Sequence, residues 1–206
     1  MLRKFALFLF CGFLSLNITA QNFGGGFILG LSTSQVGGDN LAGFNKAGLL
    51  IGIFANKNIS NLLSFQMEMT YINKGSNNAD MNDYSHPNYD TEDISLSYIE
   101  IPLLLRYNQS EKLKIEAGIL TGYLIDGYYN DMSGKMYSEI NPFVNYDIGI
   151  LLGLDYRYSK NISLNTRISN SILPIGTENY KNQSNYNPYR KGKYNSVLSF
   201  SLNYNF

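Results

Sequence analysis

Eight ionisable side chains stand at positions whose immediate neighbours are mostly apolar or small: Glu68, Glu100, Arg106, Glu116, Asp147, Asp155, Arg157 and Arg167. Gln66, Lys114 and Asn165 share their spacing. Carboxylates and guanidiniums brought together in a confined space can pair and hydrogen-bond, or they can line an ion path. Buried charge is tolerated only when it is paired. A polar network filling an interior is therefore the first reading, and an ion-selective pore is the second. A different set of residues is suited to recognition. Tyr84 and Tyr89 lie in one polar stretch, and Tyr180, Tyr186 and Tyr189 in another, among many asparagines and serines. Tyrosine with asparagine can stack on sugars and hydrogen-bond them, so these five are candidates for capturing a glycan or protein ligand. Hydrated connections of the same composition also arise without any such role.

Hydrolytic chemistry finds no parts to work with. It needs a nucleophile, a base and an orienting acid, and His86 is the single histidine of the chain. Tyr84-Ser85-His86 is too local to make a triad. No metal site is expected: His86 stands alone, and the spacing of Asp80, Asp83 and Asp90 does not match a dedicated calcium loop. No cofactor pattern is present. The single cysteine, Cys11, falls within an apolar N-terminal run.

That run has its own meaning. Arg3 and Lys4 precede an apolar stretch from Phe5 to Leu16, and Ala20 follows shortly after. A basic start, a short apolar core and a small residue describe a secretory signal peptide. Residues 1–20 are expected to be removed, leaving one domain over 21–206. Cleavage takes away Arg3 and Lys4, so 14 basic residues remain against 16 acidic ones. A slightly acidic mature chain does not suit nucleic acid, which calls for a basic face.

The elements that must position these side chains are strands. Phe65, Met67, Met69 and Tyr71 alternate with Gln66, Glu68 and Thr70; Ile99, Ile101, Leu103, Leu105 and Tyr107 alternate with Glu100, Pro102, Leu104 and Arg106. Further runs of period two surround Glu116 and Asp155 and close the chain at Leu198, Phe200, Leu202, Tyr204 and Phe206. Such alternation marks strands with two unlike faces. Eight are predicted, over 24–35, 46–56, 62–75, 92–107, 112–125, 143–158, 162–173 and 193–206. The connections alternate too. Three are tight, and those at 36–45, 76–91, 126–142 and 174–192 are long and polar. That is the layout of outer-membrane barrels, with short periplasmic turns and longer extracellular loops. It puts both termini in the periplasm. Tyr71, Tyr107, Tyr123, Tyr156, Tyr158 and Tyr204, near strand ends, suit the headgroup belts.

Certain segments also resemble a known family. Gly24-Gly25-Gly26-Phe27, Gly30-Leu31-Ser32, Lys46-Ala47-Gly48, Gly52-Ile53-Phe54, Lys74-Gly75 and above all Ser97-Tyr98-Ile99-Glu100-Ile101-Pro102-Leu103 look like the PorT-like outer-membrane β-barrel family common in Bacteroidetes. The resemblance covers nearly all of the mature chain. It implies an all-β fold, an eight-stranded antiparallel up-and-down transmembrane β-barrel, and says little about activity. The final aromatic, Phe206, resembles the signal by which barrel-assembly machinery recognises its clients. The function expected is an integral outer-membrane barrel, bathed in outer-membrane lipid, with a structural or cell-surface interaction role and no catalysis. Two rivals stand beside it. A soluble periplasmic carrier of an apolar ligand, like a lipocalin, would use the same strands with their apolar faces turned inward. A lipid-acting enzyme of the outer membrane would depend on His86.

Overall fold

Alternation of period two becomes, among the described residues, nine strands, eight of which close a ring. The structure, a computed structural model, describes residues 23–38, 43–77, 93–131, 134–136, 143–176 and 192–206. The strands are β1 (Phe23–Gly37), β2 (Lys46–Asn58), β3 (Leu63–Asn77), β4 (Asp93–Asn108), β5 (Leu113–Asp131), β6 (Gly134–Met136), β7 (Tyr146–Arg157), β8 (Ile162–Ser171) and β9 (Tyr194–Asn205). Each pairs antiparallel with the next around the ring, and β1 pairs with β9 to close it. The three-residue β6 only extends the β5 hairpin, and β5 passes directly to β7 in the ring. A closed ring leaves no long edge strand unpaired, as lipid requires.

The eight expected strands are these eight, with two differences. β5 runs on to Asp131, six residues further than its alternation suggests. Tyr98 opposes Leu124 while Ser97 opposes Asp126, so Ile125 is an extra residue on β5. A bulge of this kind shifts the phase of the pattern, which then reads as an end. β7 starts at Tyr146, and Phe143 instead forms an isolated bridge with Gly176.

Three tight turns share one mechanism. The backbone N–H of Ser60 donates to the Leu63 carbonyl at 3.0 Å, that of Ser110 to Leu113 at 3.1 Å, and that of Ser159 to Ile162 at 3.0 Å. In return each serine hydroxyl oxygen accepts from the N–H three residues on, at 3.0, 3.0 and 3.2 Å. Serine mimics a backbone turn in this way.

The outer surface is apolar. On β3 the outward row is Leu63, Phe65, Met67, Met69 and Tyr71, which matches the about 9–11 residues that a tilted strand needs to cross a bilayer. Leu152 is 59% exposed and Phe200 53%. An apolar surface continuous around the ring belongs in lipid, not water. It inverts the facing that a soluble carrier needs. Tyr107, Tyr156, Tyr158 and Tyr204 ring the turn end, and Tyr71, Tyr123 and Tyr146 stand near the other border, with the rings of Tyr123 and Tyr146 5.5 Å apart.

Beyond that border the facing keeps its parity, but the chemistry of the two faces inverts. Along β4, Ile99, Ile101 and Leu105 point outward, whereas Ile94, Leu96 and Tyr98 point inward and are fully buried. Outward positions there are Ser95 and Ser97. The strand has left the lipid, so it now buries its apolar face as a water-soluble sheet does. Val36, Leu124, Phe143, Ile175 and Val197 join them in one apolar cluster at the loop end. The interior is thus not wholly polar, as the sequence reading expects, but capped by an apolar layer. At the turn end, Phe54 also fills the interior. It fits because its partner across β1 is Gly26, where an added Cβ would lie 2.5 Å from the Phe54 ring.

Candidate functional site: the charged interior and its two mouths

Inward-facing positions of β3, β4, β5, β7 and β8 bring seven of the eight sequence-derived charged residues inside the barrel. Two networks result. In the one nearer the turns, Glu116 lies between two arginines. Arg106 Nε is 2.7 Å from Glu116 Oε1, and Arg167 Nε donates to Glu116 Oε2 at 2.9 Å. Arg106 also pairs with Asp155 at 3.0 Å and donates to Gln66. Arg167 grips Glu68 with both terminal nitrogens, at 2.6 and 2.7 Å, in the bidentate geometry that guanidinium favours. Asn165 donates to Glu116 at 2.9 Å, and Ser163 to Asp155 at 2.8 Å. Gly153 makes this crossing feasible, because a Cβ there would stand 2.7 Å from Arg167 Cγ.

The network nearer the loops centres on a residue that the sequence reading leaves out, Lys74. Its ammonium pairs with Glu100 and, at 3.0 Å, with Asp147, and it sits 5.1 Å from the centre of the Tyr98 ring. Asp147 also accepts from Ser171 at 2.7 Å and from Asn195 at 2.8 Å. The signal was present in the sequence: Gln66, Glu68, Thr70, Ile72 and Lys74 share one parity along β3. Leu104, Leu120 and Leu151 form a separate buried apolar cluster inside.

Arg157 is a correction. The sequence reading places it in the interior network, but it is exposed and makes no ion pair among the described residues. Its parity is inward, two residues on from Asp155. It is also the last residue of β7, where the ring opens to water. There it lines a recess of about 320 Å³ with Asn58, Asn61, Asn108, Ser110, Glu111 and Lys114.

The loop candidates Tyr84, Tyr89, Tyr180, Tyr186 and Tyr189, along with His86, lie outside the described residues. So does the N-terminal segment 1–20.

Charge is divided unevenly along the barrel axis. Inside stand Lys74, Arg106 and Arg167 against Glu68, Glu100, Glu116, Asp147 and Asp155. The turn end carries Lys57, Lys112, Lys114, Arg157 and Lys160 against Glu111. In the sequence, the connections 39–46, 78–93, 126–139 and 177–193 hold ten acidic and six basic residues. The described turn end is thus net basic.

The family model described as outer membrane protein beta-barrel domain matches residues 19–176. No curated protein matches the chain. Among solved structures, Ail, the attachment invasion locus protein of Yersinia pestis, is similar over 89% of this chain and 98% of its own, at 10% identity and a TM-score of 0.52. Ail in complex with the heparin analogue sucrose octasulfate is similar over 90% and 99%, at 9% identity and a TM-score of 0.50. Neisserial surface protein A is similar over 89% and 97%, at 17% identity and a TM-score of 0.48. At such identities the likeness is one of fold.

Proposed function

The chain belongs to the outer membrane protein beta-barrel domain family, and from that premise we propose that it is a non-conducting surface anchor whose long loops capture a ligand outside the cell. One observation carries this reading. The interior is filled by paired charges and, at the loop end, by a layer of buried apolar side chains. An eight-stranded ring has an interior just wide enough for its side chains. With the interior filled, the connections at 36–45, 76–91, 126–142 and 174–192 are the segments left to meet a ligand.

Within this reading residues 1–20 are a signal peptide and 21–206 the mature domain. The termini and turns face the periplasm, and the strand ending at Phe206 is read by barrel-assembly machinery. The Tyr-Ile-Glu-Ile-Pro segment at Tyr98 to Pro102 supports placement in the PorT-like branch. Catalysis has no part in the proposal, since the chain has one histidine and no recognisable nucleophile setting. The candidate contacts are Tyr84, Tyr89, Tyr180, Tyr186 and Tyr189. The Ail complex with a heparin analogue is a precedent for a sugar ligand on a barrel of this fold. Ten acidic against six basic residues in the sequence of 39–46, 78–93, 126–139 and 177–193 favour a neutral glycan or a basic protein surface over a sulfated one.

The test is a glycan array probed with the folded barrel in detergent, beside a variant with all five tyrosines changed to serine. Saturable binding by the wild type that the variant loses is the expected result. Equal signals from both would remove the tyrosines from the proposal, and steady single-channel currents in a planar bilayer would remove the filled interior.

A further inference from the structure

Charged side chains that are buried on the eight ring strands are ion-paired: Lys74, Arg106 and Arg167 with Glu68, Glu100, Glu116, Asp147 and Asp155. Two inward-facing cations at the turn end depart from that pattern. Lys114 and Arg157 make no ion pair and no side-chain hydrogen bond among the described residues. Lys114 opposes Asp155 across β5 and β7, so Arg157 is its diagonal neighbour, at about 7–8 Å between backbones and within reach of long side chains. Lys114 feels like charge from Arg106 and Arg157, set against opposite charge from Asp155 and Glu116, whose carboxylates are already engaged by Arg106 and Arg167. Two cations on one wall of a recess, neither held in an ion pair among the described residues, leave room for a further anion to join them.

We propose that this recess is a phosphate-group site, held by Lys114 and Arg157. A guanidinium presents a planar fork that suits phosphate oxygens, and an ammonium adds a point charge. A volume of about 320 Å³ equals roughly ten waters, at about 30 Å³ each. It admits a phosphate with its hydration, or the headgroup of an anionic phospholipid. Ser110 lies on the wall; its oxygen accepts from the Leu113 N–H at 3.0 Å, which leaves its proton to donate. Glu111 also lines the recess, but on the exposed tip of the turn, where water screens it. Lys112 on the same turn adds a further cation, so an anion approaches down a favourable field. The phosphate could come from an inner-leaflet lipid or from solution. The first source rests on the turns facing the periplasm; the site itself does not.

The experiment titrates inorganic phosphate into the folded chain in nonionic detergent, followed by calorimetry. The variants are Lys114→Gln, Arg157→Gln, the pair together, and Lys160→Gln as a control outside the recess. Heat-modifiable mobility shows that each has folded. Expected is saturable binding that weakens with salt, falls at least about tenfold in the double variant, falls less in each single variant, and stays within twofold in Lys160→Gln. The wild type is then moved into bilayers of phosphatidylcholine with and without phosphatidylglycerol. Weaker phosphate binding in the phosphatidylglycerol bilayer assigns the site to a lipid headgroup, and unchanged binding assigns it to a soluble phosphate. No saturable binding in detergent overturns the proposal, and so does a double variant that binds as the wild type does.

Discussion

Glu116→Gln is the most informative single change in the interior. Both carboxylate oxygens are in use: Oε1 faces Arg106 Nε, and Oε2 accepts hydrogen bonds from Arg167 Nε and Asn165 Nδ2. Glutamine keeps the volume but turns one oxygen into an NH₂ group, which then points at a guanidinium that has nothing to accept with. One arginine loses a charge-assisted hydrogen bond, worth about 1.5–3 kcal/mol, and the charge attraction to both arginines goes. Breaking a buried pair costs about 3–5 kcal/mol in general. Arg106 keeps Asp155, and Arg167 keeps Glu68, which puts the loss at the low end, about 3 kcal/mol. With urea slopes of about 1–3 kcal/mol per molar, the unfolding midpoint should fall by about 1–3 M. The assay is a urea series on the folded barrel in detergent, read as the share of heat-modifiable band. A midpoint that moves by less than about 0.3 M would show that the two arginines do not depend on Glu116, and would refute the network as drawn.

Three further outcomes follow from the same structure. Leu152→Arg places a cation at an outward position, 59% exposed on the lipid face, and should lower barrel stability by about 2–4 kcal/mol if this position lies near the midplane; assembly at wild-type yield would contradict the facing of β7. Deleting Phe206, whose ring packs edge-on against Phe27 at 5.2 Å and lies 6.1 Å from Tyr204, should slow assembly, measured as the rate at which the compact band appears. Ser110→Ala removes the side-chain acceptor of one tight turn and should cost about 0.5–1.5 kcal/mol in the same urea assay, with Ser60→Ala and Ser159→Ala behaving alike.

The ring strands were legible because lipid and a crowded interior impose opposite demands on alternate residues. Along β3, Met67 and Met69 flank Glu68, and nothing but a two-faced strand accounts for that order. The interior charges were legible for the same reason, and their partners were not. Glu68 and Arg167 meet across the barrel although 99 residues separate them, and no local pattern carries that distance. Lys74 was missed because Tyr71-Ile72-Asn73 breaks the apolar–polar rhythm just before it. The break marks the bilayer border: above it β4 buries Ile94 and Leu96 and turns Ser95 and Ser97 outward. An inversion of the two faces' chemistry within one strand is therefore a readable sign of where lipid ends. Arg157 shows the converse limit, since parity gives the direction of a side chain but not whether the ring still encloses it. The tight turns were legible as short polar breaks, but not that Ser60, Ser110 and Ser159 hold their hydrogen bonds.

The most direct test of the filled, lipid-facing ring is the electrophoretic mobility of the protein with and without boiling, run beside cell fractionation. A closed barrel in the membrane should sit in the outer-membrane fraction and migrate as a compact band that shifts on boiling. A band indifferent to heat and recovered from the soluble periplasm would contradict the facing of all eight ring strands.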